Sequence, residues 1–136
     1  MEVLVYWDNF DSSLGEVRQA LLDEAAGDYV SHVDDDDELP GYHVELVLKA
    51  LGSDPDYVGW RQRLYWNGVL DRPTYHSLRY DRWWDDANGY YRNVSHLNPI
   101  RTELARLGRF DRETPEDVDW ARQVHSRLPP EVREEY

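Results

Sequence analysis

The chain has 136 residues and a formal net charge of −13, enough for one hydrophobic core and too short for two comfortable ones. It contains no cysteine, which excludes disulfides, thiolate catalysis and thiolate metal sites. The longest purely apolar run is Val3 to Trp7, too short to span a membrane, and no basic-then-apolar leader opens the chain, so a cytoplasmic protein is expected.

In chain order, Glu2 to Trp7 reads as a strand of β-branched and aromatic residues ended by Asp8-Asn9. Ser13-Leu14-Gly15-Glu16 is a capping-box pattern, with Ser13 as N-cap. It opens a helix carrying Leu14, Val17, Leu21 and Ala25 at helical spacing, with Gly27 as its stop. Tyr29 to Val33 returns as a short strand. Asp34-Asp35-Asp36-Asp37-Glu38-Leu39-Pro40-Gly41 is an exposed loop, because consecutive carboxylates repel and Pro-Gly marks a turn. Residues 42–51 fit both periods, and Gly52 tips the reading to helix.

The remainder reads as helices. Asp54-Pro55 opens one through Trp66, with Tyr57, Trp60 and Leu64 on one face and Asn67-Gly68 as its end. A second runs from Pro73 to Ala87, stopped by Asn88-Gly89. Asn98-Pro99 opens a third, with Ile100, Leu104 and Leu107 inward and Gly108 at its end. Thr114-Pro115-Glu116-Asp117 opens the last, carrying Val118, Ala121, Val124 and Leu128, and Pro129-Pro130 closes it. The expected fold is therefore α+β and predominantly helical, a small N-terminal strand–helix–strand unit followed by four to five helices. It forms a single domain, residues 1–136. Fifteen Leu, one Ile, thirteen Val and two Phe are few for a core, and six Trp and ten Tyr make up the difference.

The charge is unevenly placed. Residues 1–60 hold 15 acids against Arg18 and Lys49, a balance of −13, while residues 61–136 hold 13 acids and 13 Arg. Three explanations compete: the Arg-rich half folds against the acidic half, the acidic surface meets a basic partner, or the chain is adapted to high salt. The neutral second half argues against the last. In that half Arg interleaves with aromatics, as in Trp60-Arg61-Gln62-Arg63-Leu64-Tyr65-Trp66 and Arg79-Tyr80-Asp81-Arg82-Trp83-Trp84. Such a pattern covers an aromatic core with Arg stems, forms a protein-binding patch, or stacks nucleic-acid bases. Arg82 and Asp86 are spaced as an i,i+4 helix pair.

Few groups suggest chemistry. Counted as a calcium loop from Asp34, position six is Leu39 where glycine is required, so no metal is expected. His32, His43, His76, His96 and His125 lack metal-ligand spacing, although His32 and His43 flank the acidic loop and could meet there with Asp34 or Asp36. Neither G-x-x-x-x-G-K-[ST] nor G-x-G-x-x-G occurs, and no cofactor is expected. What remains is electrostatic. An extended chain rises about 3.3 Å per residue, and a DNA strand places a phosphate about every 3.4 Å. Residues 34–38 thus resemble a phosphate backbone in spacing.

The leading expectation is a non-enzymatic inhibitor that blocks the basic surface of a partner protein, a nucleic-acid-binding protein in its most concrete form, by phosphate mimicry. Asp34, Asp35, Asp36, Asp37 and Glu38 would make the contact, with Tyr29 and Tyr42 as aromatic anchors. Direct binding of nucleic acid or membrane is not expected, and self-association is open. The alternatives are a small hydrolase with paired carboxylates in an aromatic-lined cleft, or an assembly subunit using the Arg/aromatic half.

Overall fold

Helix α1 (Leu14–Glu24) is set by the capping box that its sequence spells: the Ser13 hydroxyl accepts from the Glu16 N–H at 3.3 Å, and the Glu16 carboxylate accepts from the Ser13 N–H at 2.9 Å. The computed structural model describes residues 1–7, 9–111 and 115–136. Asp8 as a strand end and Thr114 as a helix cap lie outside the described residues. Three further helices follow, α2 (His43–Leu51), α3 (Thr102–Ala105) and α4 (Glu116–Arg127).

Among the described residues ten short strands accompany them, and the expected helical second half is overturned. One sheet has the order β1-β9-β2-β10, built from Tyr29–Val30, Ile100–Arg101, Tyr57–Val58 and Glu134–Glu135. A second has the order β3-β6-β8-β7, from Trp60–Gln62, Thr74–His76, Gly89–Arg92 and Trp84–Asp86. Strands β4 (Tyr65–Trp66) and β5 (Val69–Leu70) form a separate hairpin. Both four-stranded sheets are mixed: β10 runs parallel to β2 and β6 parallel to β8, and the other pairs are antiparallel. The fold is α/β with extensive mixed sheet.

The reason lies in residues whose two readings the sequence does not separate. Tyr57, Trp60 and Leu64 satisfy a helical stripe, but Tyr and Trp also favour a pleated, half-buried surface, and partners distant in sequence decide. Two turn signals were read as helix stops and are hairpin turns. Asn67 and Gly68 both have positive φ, 49° and 76°, which builds the primed turn joining β4 to β5. At Ala87-Asn88 the Asp86 carboxylate accepts from the N–H groups of Asn88 and Gly89 at 2.7 and 3.1 Å, closing the β7–β8 hairpin. Asn98-Pro99 leads into β9 before the short α3, and the buried Asn98 amide donates to the Val58 carbonyl at 2.8 Å. The expected Arg82–Asp86 helix pair therefore does not exist, since Asp86 lies on a strand.

At the N-terminus, residues 1–7 form no strand. Glu2 is tied to the Ala26 and Gly27 N–H groups at 2.8 and 2.9 Å, but no neighbouring strand pairs with the segment. Helix α2 forms as expected, with Val47, Ala50 and Leu51 its less exposed side and Val44 and Leu48 open.

The core gathers Leu22, Tyr57, Val94, Ile100, Ala105, Phe110, Trp120 and Val124. Phe110 and Trp120 stack with centroids 5.0 Å apart, and the Trp120 indole donates to the Ala105 carbonyl at 3.1 Å, so a large ring is buried without orphaning its N–H. Helix α1 is closely approached at Gly15, where a Cβ would lie 1.7 Å from the Asp111 carbonyl oxygen and 3.4 Å from the Glu116 Cβ on α4. The two halves of the chain meet through charge. Arg101 pairs with Asp54 and Asp56 at 2.6 and 2.9 Å, and Arg106 donates to the Leu22 and Ala25 carbonyls at the end of α1 at 3.0 and 2.8 Å.

Candidate active site

The acidic run leaves the carboxyl end of β1 and makes a turn in which the Asp37 N–H donates to the Asp34 carbonyl at 3.1 Å. The turn sorts its side chains. Asp34 points inward, and both of its carboxylate oxygens accept from one nitrogen of Arg18, Nη2, at 2.7 and 2.8 Å. The other terminal nitrogen, Nη1, bonds the Glu116 carboxylate on α4. Arg18 and Glu116 are 5% and 4% exposed, so this guanidinium joins the loop, α1 and α4 inside the protein. His96 Nε2 lies 3.3 Å from Asp34 Oδ2. Burial pushes the Asp34 carboxyl up, but hydrogen bonds from His96 and Arg18, with their charges, outweigh it and hold the group well below the usual carboxylate range.

Asp35, Asp36 and Glu38 face outward and Asp37 is half-buried. Burial pushes the Asp37 carboxyl up, and the charges of Asp34 and Asp36 push it further. The loop therefore has a root tied inward to Arg18 and a crest of carboxylates left toward solvent.

Behind the root stands an imidazole pair that sequence order did not reveal. His32 meets His96 edge-on at 6.0 Å, and Phe110 at 5.4 Å. Burial, followed by the charges of His96 and Arg18, lowers His32 to about 4. The expected meeting of His32 and His43 at the loop does not occur, because the His43 ring packs against Trp60 at 5.4 Å. No local signal links His96 to Asp34 across 62 residues; the pairing of β1 with β9, carried on by the His32 N–H donating to the His96 carbonyl at 2.9 Å, brings those segments together.

Of the aromatic anchors, Tyr29 is committed within the fold: its hydroxyl donates to the Pro55 carbonyl and its ring lies under Arg101 at 5.0 Å. Tyr42 is 61% exposed beside the loop. Two grooves, of about 440 and 310 Å3, run along α1 against Leu4 to Tyr6 and beside Arg106 and Arg109, and neither includes a residue of the loop. Among the described residues no three His, Cys, Asp or Glu side chains converge as a metal cage. Nor is any helix of the described residues long and apolar enough to cross a membrane.

The chain belongs to glycosyl transferase family 2, whose profile matches residues 2–113. Comparisons with curated proteins and with solved structures return no match. Family membership, with the Rossmannoid α/β fold of GT-A glycosyltransferases that it carries, corrects the sequence reading in four respects. The fold is not mainly helical. The chain is an enzyme domain and not a non-enzymatic inhibitor or DNA mimic. Its substrate is a sugar or nucleotide-sugar in place of a basic protein surface. The enzymatic alternative is the nearer reading, though glycosyl transfer replaces hydrolysis.

Proposed function

We propose that the chain binds a nucleoside-diphosphate sugar at the crest of the acidic loop and transfers its glycosyl group to an acceptor hydroxyl. Transfer breaks the bond between the anomeric carbon and the diphosphate, which leaves with the electron pair. A bond to the acceptor oxygen forms, and the acceptor loses its proton. The observation that carries the reading is the divided loop: Asp34 anchored inward, with Asp35, Asp36, Asp37 and Glu38 left on a fixed turn.

A diphosphate and a row of carboxylates repel, so direct contact is unfavourable. Magnesium-like cations resolve this, because they take one or two protein carboxylates and fill their remaining positions with water and substrate phosphate oxygens. The loop fits that demand and no larger one, since it offers outward carboxylates without a third converging ligand. Asp36 and Asp37 would hold the ion, which would supply positive charge to the departing diphosphate. Arg18 and His96 do not contact substrate in this scheme; they fix the root of the turn, and thereby the direction of its crest.

The test is calorimetric titration with UDP and GDP, each with and without Mg2+ or Mn2+. Cation-dependent binding that disappears in the Asp36→Asn/Asp37→Asn double variant is expected. Binding that ignores the cation, or survives that substitution, overturns the reading.

A further inference from the structure

We propose that Trp84 is a saccharide-stacking platform, an acceptor subsite at the free edge of the β3-β6-β8-β7 sheet. This rests on the glycosyltransferase reading for its ligand class and on separate residues for its geometry.

The register places Arg61, Tyr75, Tyr91 and Trp84 opposite one another in a single row across all four strands. Residues directly opposite share a face of the sheet, so the row is a cross-strand ladder. Its rings are nearly parallel: Tyr75 and Tyr91 stack at 12° with centroids 5.4 Å apart, and Trp84 stacks on Tyr91 at 13° and 3.9 Å. Arg61 closes one end over Tyr75 at 5.6 Å, and Tyr80 meets Tyr91 edge-on at 5.3 Å. Gly89 makes room for the ladder, since a Cβ there would lie 2.9 Å from the Tyr75 ring.

The other end is open. Strand β7 is an edge strand, Trp84 is 36% exposed, and among the described residues only Tyr91 stacks on it. Neighbouring strands are about 4.8 Å apart. The next place in the series is where a fifth strand would set its side chain, and a flat ring of ligand fits there.

The surrounding polar groups suit a sugar. Asp81, Asp85 and Asp86 lie beside Trp84 with Arg82 in sequence, and the fold adds Arg72, 3.9 Å from the Asp85 carboxylate, and Arg92, which donates to the Trp84 carbonyl at 3.0 Å. Carboxylates accept from sugar hydroxyls and guanidinium groups donate to them, so the site offers both kinds of partner that a neutral saccharide needs. The aromatic face is the negative side of the ring quadrupole and attracts the polarised C–H groups of a pyranose.

The experiment follows the six indole N–H resonances of the full chain by NMR during titration with cellohexaose, chitohexaose and maltohexaose. At least one glucan or chitin oligomer shifts the Trp84 indole in a saturable way. Trp84→Ala weakens that binding about tenfold, while Trp84→Tyr, which keeps an aromatic face, restores most of it. Trp66→Ala, on the separate hairpin, leaves binding unchanged. No shift at Trp84 from any of the three, or equal affinity in Trp84→Ala, overturns the proposal. So does displacement of the oligomer from Trp84 by UDP or GDP, which would make the platform a base site. Nucleoside-diphosphate binding with Mg2+ is measured on the same variants. Its absence from the unaltered protein counts against the donor reading alone, and its persistence in Trp84→Ala separates the two sites.

Discussion

Arg18 and Asp34 are joined through one guanidinium nitrogen, whose two contacts to the carboxylate measure 2.7 and 2.8 Å. The second terminal nitrogen of the same side chain serves Glu116. A single buried cation therefore fastens the acidic loop to two helices. Removing one partner of such a pair leaves the others buried and unpaired, which costs more than the pair contributes.

Arg18→Met is expected to lower unfolding free energy by about 3–5 kcal/mol, read from urea denaturation at pH 7. Glu116 loses this partner and Asp34 is left with His96 in that variant, so a change below 1 kcal/mol would show that the inward turn of Asp34 has another cause.

Stability should fall on mild acidification, before most carboxylates titrate. Burial lowers His32 and His76 from about 6.5 to about 4, so between those values the unfolded chain binds more protons than the folded one. The contribution is complete above pH 6.5 and shrinks as pH descends to 4, by up to about 3 kcal/mol per histidine. Below pH 4, protonation of Asp34 removes more, because its folded carboxyl lies below its unfolded value. Urea midpoints at pH 7.5, 5.5 and 4.2 check this, and a flat profile across them would contradict the burial of both rings.

Gly15→Ala offers a test of opposite sign to helix propensity. Alanine within a helix is ordinarily worth about 1 kcal/mol over glycine. Here the added Cβ meets the Asp111 carbonyl oxygen at 1.7 Å, and the net effect should be a loss of about 1–3 kcal/mol. Thermal melting decides it, since a raised Tm would mean that the Asp111 backbone moves away from α1 at little cost.

Asp37→Asn should stabilise the protein by a few tenths of a kcal/mol or more at pH 7. Its carboxyl is raised by burial and by Asp34 and Asp36, so ionising it at neutral pH works against the fold. Cation-dependent nucleotide binding should weaken in the same variant. Loss of stability instead would mean that Asp37 has a structural partner.

How much of this was legible beforehand varied by element. The capping box Ser13-Glu16, the helical stripe of α4 and the exposed acidic run each depend on contacts within a few residues, and each appears close to where the sequence puts it. The region from Trp60 to Arg92 depends on pairing partners up to 16 residues apart, such as Trp60 with His76 and His76 with Arg92. Aromatic residues alternating with Arg satisfy either period there, and only the sheet distinguishes them. The same limit hid the site. Five consecutive acids announce a charged loop, but not that the first is withdrawn by Arg18 and His96. Phosphate mimicry and phosphate binding through a cation draw on the same residues, and family membership rules out the first.

The withdrawal of Asp34 has an evolutionary consequence. The residue that holds the loop in place and the residues proposed to face a substrate are different members of one short run. Substitutions at the crest can retune affinity or cation preference while the anchor stays intact, and changes in the core can adjust stability without redirecting the crest. Donor preference and thermal tolerance could thus drift independently among related chains, which would conserve the Arg18–Asp34 pair while their neighbouring acids vary.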